Sequence, residues 1–168
     1  SSDLTLRAFS QNWKAAMGNK VPMIYVTNAQ NRYLEAGRTY SIEAYTEVKR
    51  RVEECCDTII EDDKLSAAIK LYNEWRAAMR EFLKLAGSHP AEVGNAGRVA
   101  VVNAGYYMDK AEHLKMVQEL NAALAELPAS TDGYRKVVLS GIYEDIPAIT
   151  SIMEDNKIAV VADDLAKE

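Results

Sequence analysis

Cysteine, histidine and cations are in short supply in this chain, and each shortage removes a class of explanation. Two cysteines, Cys55 and Cys56, stand side by side in 168 residues. Sequence neighbours bridge only under strain, so no disulfide framework organises the fold, and a reducing, cytoplasmic setting is expected. Together with two histidines, His89 and His113, they fall short of a complete zinc or iron–sulfur ligand set. Any such metal would need ligands from outside this chain. Basic residues number 20 against 25 acidic ones, for a net charge of −5, which argues against a nucleic-acid-binding face. No apolar run approaches the roughly 20 residues of a membrane-spanning helix, and no signal-peptide pattern opens the sequence. Neither a GxGxxG nor a Walker pattern for phosphate is present. The opening SSDLTLRAF lacks a methionine, as expected of a piece of a longer protein or a processed chain.

What is present suits an ordinary globular core: 48% of residues are hydrophobic and 27% charged. The most informative stretch is Tyr134–Asp164. The apolar run Val137-Val138-Leu139 stops at Ser140-Gly141, and Ile146, Ile149, Ile152 and Met153 then follow at helical spacing. A second apolar run from Ile158 to Ala162 closes on Asp163-Asp164. Short β-branched runs flanking an amphipathic segment predict a parallel β-α-β unit. Ligands of open parallel sheets sit outside the carboxyl ends of the strands, so Ser140, Gly141, Asp163 and Asp164 are the candidate site residues.

The rest of the chain is helix-rich. Leu6, Phe9, Trp13 and Met17 predict a first helix over 4–17, stopped by Gly18-Asn19. Pro22–Val26 predicts a short strand running into the amide-rich loop 27–32. Ile42, Tyr45, Val48 and Val52 predict a helix from Ser41, its N-cap or that of Thr39, to Cys55. The longest pattern runs from Asp62 through Leu65, Ala68, Ile69, Tyr72, Trp75, Met79, Phe82 and Leu83 to Gly87. Tyr72 and Trp75 are expected in the core. For Pro90–Met108 two readings stand: a strand around Val99, Val101 and Val102, or a closely packed helix carrying Gly94 and Gly97. Asp109–Leu127 is a further helix, ended by Pro128. The chain thus divides into an N-terminal helix, strand and connecting helix over 1–60, and a helix-rich α/β lobe with the β-α-β unit over 61–168.

Each candidate feature has a structural reading beside the functional one. Ser140-Gly141 admits close approach of a polar ligand group to the backbone, or is a tight turn. Asp163-Asp164 binds a cation or orients a polar substrate, or is a solvated strand end or helix cap. The loop 27–32 holds a polar ligand or is merely solvated. Cys55 and Cys56 are expected to be small buried hydrophobes rather than reactive thiols. His89 and His113 lack the spacing of metal or triad chemistry and are expected to be structural or exposed.

Three segments in order resemble the 2-hydroxyacyl-CoA dehydratase and benzoyl-CoA reductase subunits, of the 2-hydroxyglutaryl-CoA dehydratase D-component type. Ala67–Arg76, introduced by Ile60–Leu65, is similar to that family's "AI-x-x-YN-x-x-R" helix. Val137–Gly141 with Val160–Asp164 resembles its "(L/V)LLSG … VVxDD" unit. Ser2–Arg7 with Asn12-Trp13 resembles a "CD-x-LR … W" stretch, with Ser2 where the family has a cysteine. The resemblance implies an α/β fold, helix-rich with a small parallel sheet in a flavodoxin-like or Rossmann-like lobe, plus an N-terminal helical appendage. It also implies helix for Pro90–Met108. It further implies a parent subunit with a [4Fe–4S] cluster, a related second subunit and a separate ATP-hydrolysing activator, together dehydrating (R)-2-hydroxyacyl-CoA by radical chemistry. Ser140, Gly141, Asp163 and Asp164 would meet the acyl-CoA thioester or its CoA portion. The cluster's ligands would lie outside this span, so no cofactor is expected on this chain alone, which would be catalytically inert by itself. A benzoyl-CoA reductase-type subunit and a non-catalytic small-ligand or scaffold domain are the alternatives.

Overall fold

A computed structural model describes residues 4–165 apart from Asn19, Val21, Asn28, Gln30, Arg32 and 142–145, and without the side chains of residues 4–6, 164 and 165. The chain forms two compact units, residues 1–65 and 66–168.

In the first unit, α1 (Leu4–Met17) ends where Gly18 takes φ +57° and returns its N–H to Lys14 O at 2.9 Å. Phe9 and Trp13 lie on one face of it, ring centroids 6.2 Å apart. The strand expected at Pro22–Val26 does not form. A strand needs a ladder partner for its N–H and C=O groups, and the two strands of the described sheet, both in the second unit, pair with each other. Helix α2 (Glu35–Cys56) starts before Ser41, whose hydroxyl is no cap but donates back to Gly37 O at 2.9 Å within the helix.

None of the residues of α2 is buried: Ile42 and Tyr45 of its apolar stripe are exposed, and so are Cys55 and Cys56. The expectation of buried cysteines is therefore corrected: both sit on the last turn of α2, a helix with no buried residue. Side-chain pairs one turn apart support α2 instead. Glu47 accepts from Arg50 and Arg51, and these hydrogen bonds hold its carboxyl down to about 2. Asp57 then turns left-handed at φ 48°, and its N–H and that of Thr58 both go to Glu53 O.

Helix α3 (Asp62–Ser88) begins in the first unit and continues through the second, which also holds α4 (Gly94–Tyr107), α5 (Lys110–Ala125), β1 (Arg135–Gly141), α6 (Pro147–Asp155) and β2 (Ile158–Leu165). The segment with two sequence readings is thus helical from Gly94. The core gathers Met79, Phe82 and Ala86 of α3 with Val117 and Leu124 of α5. Phe82 is fully enclosed, and burying an aromatic of that size contributes about 2–3 kcal/mol. Asp109 caps α5, its Oδ1 accepting from Ala111 N at 2.9 Å and Glu112 N at 3.2 Å. His89 is buried where α3 ends, its ring nitrogens on Leu85 O at 2.8 Å and Leu127 O at 3.2 Å.

The sheet is one parallel pair, β1 beside β2, with α6 as the crossover and one irregularity in register after Val137. Arg135 N donates to Lys157 O at 2.7 Å, so by alternation Ile158 O and Val160 N face away from β1. Asn95 of α4 satisfies both: its Nδ2 donates to Ile158 O at 2.7 Å, and its Oδ1 accepts from Val160 N at 3.2 Å. A side-chain amide here does the work of a neighbouring strand. Gly87 lets α3 touch the same strand, since a Cβ there would lie 2.8 Å from Val161 O. Glu154 of α6 accepts from Ala96 N at 2.9 Å, placing a carboxylate on the first turn of α4.

Candidate functional site

The register brings the sequence-predicted site residues to one end of the sheet. Ser140 pairs with Asp164, Leu139 with Asp163, and Gly141 with Leu165, all at the carboxyl ends of parallel strands. Ser140 is exposed there. Asp163 is not: its side chain is 1% exposed and is ion-paired through Oδ2 with Arg98, itself buried. Arg98 also donates through Nη1 to Leu83 O at 3.2 Å. The second oxygen of Asp163 is buried without a partner among the described residues. Asp163 thus anchors α4 to β2, and of the described candidate side chains at this end Ser140 is the exposed one. The side chain of Asp164, Ser2 and half of the loop 27–32 lie outside the described residues.

Beside the ion pair, the last turn of α3, α4 and β2 enclose a hollow of about 680 Å³ edged by Lys84, Arg98 and Lys136. Arg98 escaped the sequence reading. Its signal was a lone arginine inside the small, apolar run Gly94–Val102, where a charge has no place unless it is paired.

A larger cleft, of about 1040 Å³, opens between α3, α4 and the start of α5. Its floor is a fixed set of polar and aromatic groups. Trp75 Nε1 donates to His113 Nδ1 at 2.7 Å. An indole nitrogen can only donate, so His113 Nδ1 carries no proton and Nε2–H donates to Val101 O at 3.1 Å. Burial holds the His113 imidazole below the usual histidine range, the Lys110 ammonium adds to this, and the Val101 carbonyl opposes it. Lys110 Nζ lies 4.1 Å from the Trp75 ring centroid and 5.3 Å from that of Tyr72, and it donates to Gly105 O. Gly105 is required for this packing: a Cβ there would sit 2.8 Å from Trp75 Cζ2. Of the two aromatics expected in the core, Trp75 packs partly against it, whereas Tyr72 is 41% exposed along the cleft. Arg76 and Arg80 follow Tyr72 at four-residue intervals on the same helix and also line the cleft. Their spacing is visible in the sequence.

No group of three or more His, Cys, Asp or Glu among the described residues could hold a metal. An iron–sulfur cluster of the usual kind needs four thiolate ligands, and Cys55 and Cys56 are the chain's whole supply. The residues of this chain do not fit such a cluster. Among the described residues, no helix is long and apolar enough to cross a membrane.

Comparison with known proteins matches residues 4–168 to the family described as 2-hydroxyglutaryl-CoA dehydratase, D-component. The chain is 45% identical over 164 residues to the beta subunit of (R)-2-hydroxyglutaryl-CoA dehydratase from Acidaminococcus fermentans, covering 98% of this chain and 43% of that protein. It is 37% identical over 164 residues to the lactoyl-CoA dehydratase beta subunit of Anaerotignum propionicum, again 98% of this chain and 43% of that protein. A benzoyl-CoA reductase subunit of Thauera aromatica is 27% identical over 147 residues, 88% of this chain and 38% of that protein. The chain therefore spans less than half the length of the relatives it matches. This chain, matched over residues 4–168, belongs to the 2-hydroxyglutaryl-CoA dehydratase D-component family.

Proposed function

We propose that this chain is one lobe of a 2-hydroxyacyl-CoA dehydratase subunit, whose complete protein eliminates water from an (R)-2-hydroxyacyl-CoA to give the enoyl-CoA. The observation that carries the reading is 45% identity across 98% of the chain to a dehydratase beta subunit. The parent protein would work in the cytoplasm with a related second subunit, as the relatives' names as subunits suggest, and with an ATP-hydrolysing activator. A [4Fe–4S] cluster of the parent would take its ligands from other segments. In this lobe, Ser140 and the backbone at Gly141 would meet the thioester or the CoA portion, since small residues and backbone N–H groups at a strand end suit close approach of a polar ligand. Asp163 would act behind them by holding Arg98, and Asp164 shares the same end of the sheet.

A benzoyl-CoA reductase-type activity is the second reading, favoured by the 27% identical reductase subunit. The experiment is to purify the complete protein anaerobically with its partner subunit and activator, then to assay ATP-dependent conversion of (R)-2-hydroxyacyl-CoA thioesters and of benzoyl-CoA. Enoyl-CoA formation supports the dehydratase. Reduction of benzoyl-CoA with no enoyl-CoA formed transfers the chain to the reductase branch. A protein with neither activity and no iron would refute both and leave a binding or scaffold domain.

A further inference from the structure

We propose that the cleft between α3, α4 and the start of α5 binds an adenine nucleotide carrying at least two phosphate groups. Charge is the first argument. Arg76, Arg80 and Lys110 line the cleft against a single carboxylate, Asp109, whose Oδ1 is already taken by two backbone N–H groups of α5. Arg76 donates to the neutral amide of Asn73 at 3.2 Å, and Lys110 to the Gly105 carbonyl. Among the described residues none of these three cations has a carboxylate partner within ion-pairing distance. Three cations spread over two helices suit several phosphate charges better than one carboxylate. Arginine in particular recognises phosphate oxygens through paired N–H donors.

The second argument is the ring surface between the cations. Tyr72 and Tyr106 line the same cleft 41% and 60% exposed, and Arg76 lies 5.8 Å from the Tyr72 centroid. Exposed aromatic rings beside cations suit contact with a planar heteroaromatic ring that carries phosphates. The surround is also built to stay in place. Trp75 is pinned by His113, and Gly105 allows α4 to close against both. At about 1040 Å³ the space is ample for a nucleotide. The choice of adenine rests on the acyl-CoA reading above, since CoA ends in a 3′-phosphorylated adenosine diphosphate. Free adenine nucleotides share that chemistry.

The test is calorimetric titration of the complete protein with CoA, adenosine 3′,5′-bisphosphate and ADP, at low and at physiological salt, beside Arg76→Gln and Arg80→Gln. Both arginines are exposed, so both variants should fold, and unchanged thermal melts will verify it. Binding should weaken about five- to tenfold in each variant and fall with added salt. Tight binding of CoA and the bisphosphate with weak ADP binding supports the proposal and identifies the substrate's own nucleotide end. Equal binding of ADP supports it and identifies a free nucleotide instead. No binding of any of the three, or binding that neither arginine variant weakens, overturns it. The two readings fail separately. A protein that dehydrates 2-hydroxyacyl-CoA with KM unmoved by both variants keeps its function and loses this site. One that binds nucleotide in an arginine-dependent way without turnover keeps the site and loses the function.

Discussion

Lowering the pH should destabilise the second unit through a single histidine. In the folded chain His113 is neutral, because Nδ1 must accept the Trp75 indole N–H and burial disfavours the imidazolium. In the unfolded chain it titrates near 6.5, the ordinary histidine value. The folded pKa is therefore the lower of the two. Stability from this group is complete above about pH 6.5 and is lost as pH falls below it, because the unfolded state then binds a proton that the folded state refuses. The loss approaches about 1.4 kcal/mol per pH unit until the depressed folded pKa is reached. Between pH 7.5 and 5.5 it can total at most about 1.4 kcal/mol, the limit set by the unfolded-state value. The assay is urea unfolding followed by Trp75 fluorescence in a Trp13→Phe background, since the chain has two tryptophans. His113→Gln, which cannot take up the proton, should be less stable at pH 7.5 but should lose less on acidification, by up to about 1.4 kcal/mol. The difference between the two proteins removes every contribution common to both. Parallel pH profiles for the wild type and His113→Gln would refute the reasoning. They would mean that the Trp75–His113 bond does not restrict protonation.

Other outcomes follow from the same packing. Asn95→Ala strips partners from Ile158 O and Val160 N and should cost about 2–4 kcal/mol, with amide exchange at Val160 accelerated; protection equal to wild type would deny Asn95 its place as a surrogate strand. Arg98→Met leaves Asp163 buried and uncompensated and should cost about 3–5 kcal/mol, while Arg98→Met with Asp163→Leu should recover most of it. Denaturant midpoints decide this, and a single variant no worse than the double would sink the ion-pair account. Gly105→Ala gains about 1 kcal/mol of helix propensity but places a methyl against Trp75 that costs about 1–3 kcal/mol. It should be neutral to destabilising with a shifted Trp75 emission, and an unshifted, more stable protein would show that the indole gives way freely.

How much of this was legible beforehand depends on the range of the interaction involved. Periodicity placed α3, α5 and the β1-α6-β2 unit, because each carries its apolar stripe or β-branched run within a few residues. The run Pro22–Val26 looked equally like a strand, yet strands are completed by a partner, and the partner is not written into the run. The second helix was found but its start was not, since Ser41 offers a cap that the helix passes by. The stretch Gly94–Tyr107 was ambiguous in its residues. Its helix is secured by Glu154 on its first turn and Asn95 on β2, contacts with residues distant in sequence.

The sequence by itself determined the family and the parallel unit that brings Ser140, Gly141, Asp163 and Asp164 to one end of a sheet. The unit is a property of residue type and local spacing. Only the tertiary structure decided that Asp163 is sealed against Arg98 while Ser140 stays open. It also decided that His113 is held neutral by Trp75, and that Arg76, Arg80 and Lys110 share one cleft. Burial and charge pairing belong to neighbours in space, and no local pattern encodes which neighbours those are.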